Sequence, residues 1–586
     1  MTDEIAIAAT TTDPAAARRA DLAALAGEEW DVVVVGGGIT GAGILLDAVS
    51  RGLRAALIEQ SDIAAGTSSR SSRLIHGGLR YLEQFHIGLV REALSERARL
   101  LDLAPHLVSL RPLVFPLYGM PFVTRGFYGA GIGFYDALGS ARRGGISRHL
   151  GVKATRELVP PIRTEGLRGA IVYHDGAEDD ARYTLAVART AAGLGGLPVT
   201  RVRADGLVLE GGRAKGIVAR DLLGEEDIRI RTKRVIDATG VWAARADSPF
   251  GGAKMIPSIG SHIMIARERI PMKHGMAIRV PGKVAFIVPW PDFWVIGTTD
   301  QPYDGPPDHP TASRAEVDRL LEIVNTVLAV DLTTDDIAGT YAGLRPLIGE
   351  AQDGGTVKVS REHKVGVDRN GLVRIGGGKY TTYRLMARDA VDAALGPEEA
   401  KTRPSATADL PLVGAASRSV LANLADRISK DTGLTNDQAM RLTQRHGTEA
   451  MAVVELGRRR DLLRPLVADR PFLEAEVVWA AHREMALTLD DVLARRFRLA
   501  MELRDRGATI APRVAELLGG ELGWDEARRA VEVETYLRGA RLEYGVPGRD
   551  MPAEADAMAP AVAVAADASA STAVDAGMGP AEPAGA

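Results

Sequence analysis

Apolar positions along the chain change their period several times. Asp31 is followed by four consecutive valines, Val32 to Val35. A short unbroken run of β-branched residues is the pattern of a parallel strand buried on both faces. Helical spacing takes over from Ile39 through Ala48 to Ser50, and a second strand is predicted over 54–58. Residues 235–237 and 372–375 read as further strands, the latter leading into a helix over about 381–395. Strand patterns at 261–265, 284–288 and 293–297 lie between them, with Pro289-Trp-Pro-Asp292 as the turn of a hairpin. After about residue 404 the period becomes helical, as at Val420, Leu421, Leu424 and Ile428. Thr488-Leu-Asp-Asp491 has the form of a capping box with Asp in place of Glu. No run of 18 apolar residues occurs, so no membrane-spanning helix is predicted. Residues 113–138 are aromatic-rich, carrying Phe115, Tyr118, Phe122, Phe127, Tyr128, Phe134 and Tyr135. That stretch reads either as core or as a surface that dips into one bilayer leaflet.

The first predicted strand runs straight into Gly36-Gly-Gly38-Ile-Thr-Gly41, and the second ends at Glu59. Gly36 allows a tight turn, Gly38 a close approach to a pyrophosphate, and Gly41 close packing of helix on strand. The helix start offers unpaired N–H groups and the positive end of its dipole. Glu59 is placed to accept the ribose hydroxyls. Strand, glycine turn, helix, strand and acid in this order point to an adenine dinucleotide, NAD or FAD. Three later features favour FAD. A polar loop, Thr67 to Ser72, continues to His76-Gly-Gly78. The strand over 235–237 enters an Ala-Thr-Gly240 turn. The strand over 372–375 enters Gly376-Gly-Gly378 at a helix N-terminus, which suits the electron-rich edge of a reduced flavin.

Composition narrows the classes. Of 586 residues, 46% are hydrophobic and 25% charged, which excludes a chain disordered throughout. The 72 Lys and Arg against 76 Asp and Glu, with no interleaving of basic and aromatic residues, argue against nucleic acid as a partner. The absence of cysteine excludes disulfides, thiolate metal sites and a cysteine nucleophile. No metal-site motif or phosphate-binding P-loop occurs, and no metal is expected. Residues 1–29 are expected to be a flexible leader and the Ala/Pro-rich residues 552–586 a disordered tail. Arg458 to Arg460 and Arg495, Arg496 and Arg498 form basic clusters that read as a solvated face or as a contact for anionic lipid.

At Ser71-Ser-Arg-Leu-Ile-His-Gly-Gly-Leu-Arg-Tyr-Leu82 the chain resembles FAD-dependent glycerol-3-phosphate dehydrogenases. The resemblance continues through Gly260-Ser-His262, Ile296-Gly-Thr-Thr-Asp300, Ala342-Gly-Leu-Arg-Pro346, Gly376 to Arg384 and 487–496, and covers about residues 30–540. It implies an α/β flavoenzyme with an FAD-binding Rossmann-like domain of the glutathione-reductase/D-amino-acid-oxidase type. An antiparallel-sheet substrate domain and a C-terminal all-helical domain would complete it. The expected division is 30–110, 155–250 and 337–400 for the discontinuous FAD domain. An aromatic-rich insertion then covers 111–154, the substrate domain 251–336 and the helical domain 405–545. The implied reaction oxidises sn-glycerol 3-phosphate to dihydroxyacetone phosphate by hydride transfer to FAD, with electrons passed to membrane quinone. The alternative is an oxidase that uses oxygen and yields peroxide. A cytoplasmic, peripheral protein on an anionic membrane face, assembled as a homodimer, is expected.

A phosphate ester held beside a flavin needs several cations. Arg80, Arg345 and Lys379 each follow glycines that let a long side chain be aimed inward. By resemblance they match the substrate contacts, with Tyr81 and Thr381 as hydrogen-bonding neighbours. His262 is the first candidate for the base that takes the C2 hydroxyl proton, since a histidine suits proton removal near neutral pH. Arg345 and Lys379 are alternative stabilisers of a developing alkoxide. The expected cofactor set is Gly36, Gly38, Gly41, Glu59, Thr67, Ser68, Ser72, Leu74, His76, Gly77, Gly240, Gly377 and Gly378.

Overall fold

The valine run forms the strand Val32–Val35, buried throughout, inside a six-stranded sheet. Its neighbours are Ala55–Glu59 and then Leu197–Thr200 on one side, and Val235–Asp237, Val373–Gly377 and His363–Val367 on the other. All pair in parallel except His363–Val367 at the edge. Helices Ile39–Ser50, Asp180–Gly193 and Tyr383–Leu395 bury their apolar faces in one core with this sheet. On the opposite face lies a second core shared with a small sheet built from Glu29–Trp30, Val202–Glu210, Arg213–Asp221 and Asp227–Thr232. The computed structural model describes residues 13–78, 87–119, 131–133, 135–136, 145–245, 247–252, 255–280, 283–348, 362–468 and 470–550.

A mostly antiparallel ten-stranded sheet stands beside the first. Its spine is a pair of twelve-residue strands, Met255–Ala266 and Ile337–Ile348, joined along nearly their whole length. The predicted hairpin is present as Lys283–Pro289 and Phe293–Gly297. The sheet also takes in Val108–Tyr118, Leu167–Glu178 and Ile337–Ile348, from stretches outside 251–336. The alternation of buried and exposed side chains there is interrupted, because both faces of these strands are covered.

The C-terminal region is helical from Arg418–Thr432 to Glu526–Tyr544. It does not stand apart: Val492, Leu493, Phe497 and Met501 share one core with Met264, Val295, Ala338 and Tyr341 of the ten-stranded sheet. The predicted cap at Thr488 is made reciprocally. Asp491 N–H donates to Thr488 Oγ1 at 3.3 Å, and Thr488 N–H donates to Asp491 Oδ2 at 3.1 Å.

Two expectations are corrected by the structure. Within the expected leader, Pro14–Gly27 is an α-helix. Asp13 caps it, Leu25 is fully buried, Trp30 Nε1–H donates to Leu25 O, and Arg18 pairs with Asp221 at 2.7 Å. Long-range packing, invisible in an Ala-rich composition, orders this stretch. The second basic cluster is neither solvated nor at a surface. Arg495, Arg496 and Arg498 are buried. Arg496 grips Asp62 with two hydrogen bonds of 2.6 and 2.9 Å, Arg495 adds a third at 2.6 Å, and Arg498 pairs with Asp180. The arginines thus clasp the helical region to the first sheet. Arg182 with Glu484 and Arg189 with Glu449 extend the clasp. The half-exposed Arg459 and Arg460 pair instead with nearby Glu455 and Glu521. Of the aromatic stretch, Phe115 and Tyr135 are buried in the core, while Phe122, Phe127, Tyr128 and Phe134 lie outside the described residues, as does the tail 552–586.

Candidate active site

The C-terminal ends of Val32–Val35, Val235–Asp237 and Val373–Gly377 meet at one edge of the six-stranded sheet, the position where open α/β sheets take their ligands. Gly36 sits there at φ +111°, and a Cβ on it would fall 2.6 Å from Ala238 O. A Cβ on Gly41 would fall 1.9 Å from Gly36 O, so only glycine lets this helix start beneath the turn. Gly38 caps the helix, and the first helical N–H, from Ile39, donates to Ser68 Oγ at 2.8 Å. Glu59 accepts from Gly37 N–H at 2.6 Å and from Ser61 N–H at 2.7 Å. Burial pushes its carboxyl up from the usual range despite those two bonds.

The polar loop beside this edge is tied to every neighbour. Thr67 Oγ1–H donates to Leu344 O at 2.6 Å, and Leu74 pairs with Ala177. His76 N–H donates to Thr381 Oγ1 at 3.3 Å. Gly77 N–H donates at 2.7 Å to the hydroxyl of buried Tyr135, which donates to Asp175 at 2.6 Å, and Arg97 holds the same carboxylate. Gly240, Gly377 and Gly378 have left-handed backbones, and Lys379 precedes the Tyr380–Thr382 turn. All thirteen expected cofactor residues therefore lie on the two strand–turn units, the Thr67–Gly77 loop or the late glycine turn around one edge. These features fit a dinucleotide that lays its pyrophosphate on the helix start.

The expected substrate-side residues lie on Met255–Ala266 and its two partner strands. His262 lies opposite Gly297 on one neighbour and Tyr341 on the other. A Cβ on Gly297 would come 2.1 Å from the imidazole Cδ2, so that glycine makes room for the ring. His262 Nε2 is 2.8 Å from Ser72 Oγ, and Tyr341 stacks on the imidazole, 4.6 Å between centroids and 10° from parallel. Burial first, then the charges of Arg345 and Arg73, hold His262 well below its ordinary range, so it is neutral at pH 7. Arg345 reaches across Gly260 and donates to Thr298 Oγ1 at 2.8 Å and Thr299 O at 3.2 Å. Asp300 lies 3.5 Å from the same guanidinium. His262, Arg345 and the Ser72 loop are thus brought together, and Thr381 is tied to that loop at His76. Arg80 and Tyr81 lie outside the described residues. Among the described residues, no group of three or more His, Asp or Glu side chains is arranged to hold a metal.

Sequence reasoning placed Trp290 in the pocket wall but missed Tyr341, Arg73 and Glu502 as neighbours of this site. Tyr341 had a readable signal: along Ile337–Ile348 it shares a face with Gly343 and Arg345 by the two-residue period of a strand. Glu502 had none. Trp290 Nε1–H donates to its Oε1 at 2.6 Å, and burial pushes its carboxyl up to about 7. An acid whose folded pKa is raised favours the fold most below its unfolded value near 4.5, and this contribution is lost as pH rises through 7. Glu502→Gln is therefore expected to gain on the native protein between pH 5 and pH 8, by order 3 kcal/mol. Thermal melts at both pH values check this, and parallel melting curves for the two proteins would refute it.

Comparison with known proteins places this geometry. The family described as FAD dependent oxidoreductase matches residues 31–384, and the C-terminal domain of alpha-glycerophosphate oxidase matches residues 405–529. The fold and cradle thus define an FAD-dependent oxidoreductase, and FAD is its cofactor. Glycerol-3-phosphate dehydrogenase 2 of Mycobacterium tuberculosis is 42% identical over 536 residues, 90% of this chain and 91% of that one. The human mitochondrial glycerol-3-phosphate dehydrogenase is 35% identical over 546 residues, 89% of this chain and 74% of that one. The crystal structure of glycerol-3-phosphate dehydrogenase from Bacillus halodurans complexed with FAD superposes with a TM-score of 0.72 at 26% identity, covering 89% of this chain and 97% of that one. The chain belongs to the family of FAD-dependent glycerol-3-phosphate dehydrogenases.

Proposed function

We propose that this protein oxidises the C2 hydroxyl of sn-glycerol 3-phosphate to give dihydroxyacetone phosphate and passes the electrons to a membrane quinone. The observation that carries this reading is a buried, neutral imidazole, His262, on the same sheet as the inward-reaching guanidinium of Arg345. Arg345, Lys379 and Arg80 hold the ester dianion, with Tyr81 and Thr381 as hydrogen-bonding neighbours. His262 takes the C2 hydroxyl proton, and Ser72 Oγ, 2.8 Å from Nε2, orients the ring. As the proton leaves, positive charge from Arg345 stabilises the oxygen. Gly36, Gly38 and Gly41 with Glu59 hold the adenine end of the cofactor. Thr67, Ser68, Ser72, Leu74, His76, Gly77, Gly240, Gly377 and Gly378 hold the rest. Bound FAD supplies the acceptor for the C2 hydride.

Membrane contact in this reading is peripheral, on an anionic cytoplasmic face and by a homodimer. Among the described residues no helix is long and apolar enough to cross a bilayer. At the exposed helix end, Arg459 and Arg460 are paired with Glu455 and Glu521, and Arg458 offers positive charge for such a surface. Anaerobic addition of glycerol 3-phosphate is expected to bleach the flavin absorbance, while glycerol at the same concentration leaves it intact. Equal bleaching by both, or none by either, refutes the substrate assignment. Reoxidation by a quinone analogue with little peroxide supports the quinone. Rapid reoxidation by oxygen with one peroxide per flavin overturns it in favour of the oxidase.

A further inference from the structure

Arg73 is 1% exposed, yet no carboxylate lies within ion-pairing distance of it among the described residues. Its guanidinium lies 3.7 Å from the centroid of Trp290 and 5.6 Å from that of Tyr341. Nη2–H donates to Met501 Sδ at 2.9 Å, while Nε and Nη1 are buried without a hydrogen-bond partner. An arginine cannot shed its proton, so this is a permanent buried charge. A lone buried cation costs several kcal/mol, and one that persists calls for a use. The backbone is constrained as well. Arg73 has φ +57°, and its N–H donates to Ser71 Oγ at 2.9 Å. A non-glycine residue in the left-handed region is uncommon and tends to mark a functional position.

The surroundings say what the charge acts on. Tyr341, whose ring lies beside Arg73, is stacked on His262. Tyr341 O–H donates to Ser71 O at 2.9 Å, and Ser72, next in the chain, meets His262 Nε2. Arg73 thus stands behind the imidazole, joined to it through an aromatic ring and through its own loop.

We propose that Arg73 is a positioning residue for His262: clamped between Trp290 and Tyr341, its fixed positive charge adds to burial and Arg345 in setting how readily the imidazole takes and gives up a proton. The inference rests on His262 being the base proposed above. The charged groups disposed around His262 are Arg345 with Asp300, Arg73 from the polar loop, and Glu502 from Leu499–Glu502 behind Trp290. Glu316 lies further off, accepting from Thr299 Oγ1–H at 2.5 Å. Of these, Arg345 and Arg73 lower the proton affinity of His262 after burial itself. Arg345 doubles as a substrate contact in that reading, whereas Arg73 lies between the rings of Trp290 and Tyr341.

The test is the titration of His262 in the flavin-loaded enzyme. With histidine labelled at 13Cε1, the His262 resonance is assigned by its loss in His262→Asn and followed against pH. Arg73→Met and Arg73→Gln are expected to raise its midpoint by roughly one pH unit. Arg73→Lys, which keeps the charge, is expected to return it toward the native value. The acid limb of kcat/KM per flavin moves with the midpoint in each variant. A midpoint unmoved in both neutral variants overturns the proposal, as does a midpoint displaced equally by Lys. A pH limb that persists unchanged in His262→Asn would sink the base assignment instead, a separate and recognisable result.

Discussion

His262→Asn is expected to lower turnover by about 10²–10⁴-fold, the range of a lost general base, while flavin content stays at the native level. The substitution keeps a polar side chain beside Tyr341 but falls short of Ser72, which the imidazole meets through its outer nitrogen, so the cofactor loop loses one hydrogen bond while its other ties remain. What disappears is a nitrogen that can hold the C2 hydroxyl proton. Because burial, Arg345 and Arg73 together hold the imidazole well below its ordinary range, native activity is expected to be flat from neutral pH down to the mildly acidic region. The variant has no such plateau to lose, and its residual rate is expected to rise with hydroxide concentration. Stopped-flow reduction of the flavin by glycerol 3-phosphate reads this step directly, free of the later transfer of electrons. A reduction rate within threefold of native across the pH range would remove His262 from the chemistry and leave the alkoxide stabilised by cations alone.

The parts of this site that were legible in the sequence are those fixed by local physics. Val32–Val35, the glycine turn and Glu59 announce themselves because a buried strand needs an apolar run, a helix start beneath a turn needs Gly41, and all lie within one stretch of chain. The hairpin at Trp290 was readable for the same reason. The substrate side depends on pairing between distant strands. His262 and Tyr341 are 79 positions apart and meet only because Met255–Ala266 and Ile337–Ile348 pair in a particular register. No local pattern sets that register, although the shared face of Tyr341, Gly343 and Arg345 hints at it. Arginines posed the hardest problem. Arg459 and Arg495 look alike in a window of sequence, yet one side chain is 57% exposed and the other 5%. The difference lies in Asp62, more than 400 residues from Arg495, and nothing short of the tertiary structure reveals it.

That same carboxylate supports the second large effect. Asp62→Ala is expected to destabilise the protein by about 3–5 kcal/mol, because it leaves Arg495 and Arg496 buried with part of their charge unanswered. Asp62 lies three residues beyond the strand end at Glu59, so the loss is felt both at the contact with the helical region and beside the first glycine turn, where Glu59 holds Gly37 N–H. Asp490 and Asp491 still face Arg495 at 2.5 Å each, so the unanswered charge falls mainly on Arg496, whose carboxylate hydrogen bonds both go to Asp62. Burial alone would raise Glu484 and Asp491, yet Arg182 holds the first and Arg201 the second well below the usual carboxylate range. Lowered carboxylates of this kind stabilise above about pH 4.5 and lose their contribution as pH falls through their folded values. Glu476, brought to about 2 by Arg445 and His446 against its own burial, places the lower end of that window. Asp62→Ala is therefore expected to unfold at higher pH on acidification and at lower temperature at pH 7. Ionic strength separates this clasp from an ordinary surface pair, whose contribution fades within a Debye length of about 10 Å at 0.1 M salt. The melting-temperature deficit of Asp62→Ala should be the same at 0.05 and 0.5 M salt, whereas that of Arg459→Ala should be negligible at both. A deficit for Asp62→Ala that vanishes at high salt would mean that water reaches these arginines and that the two regions are held by apolar packing alone.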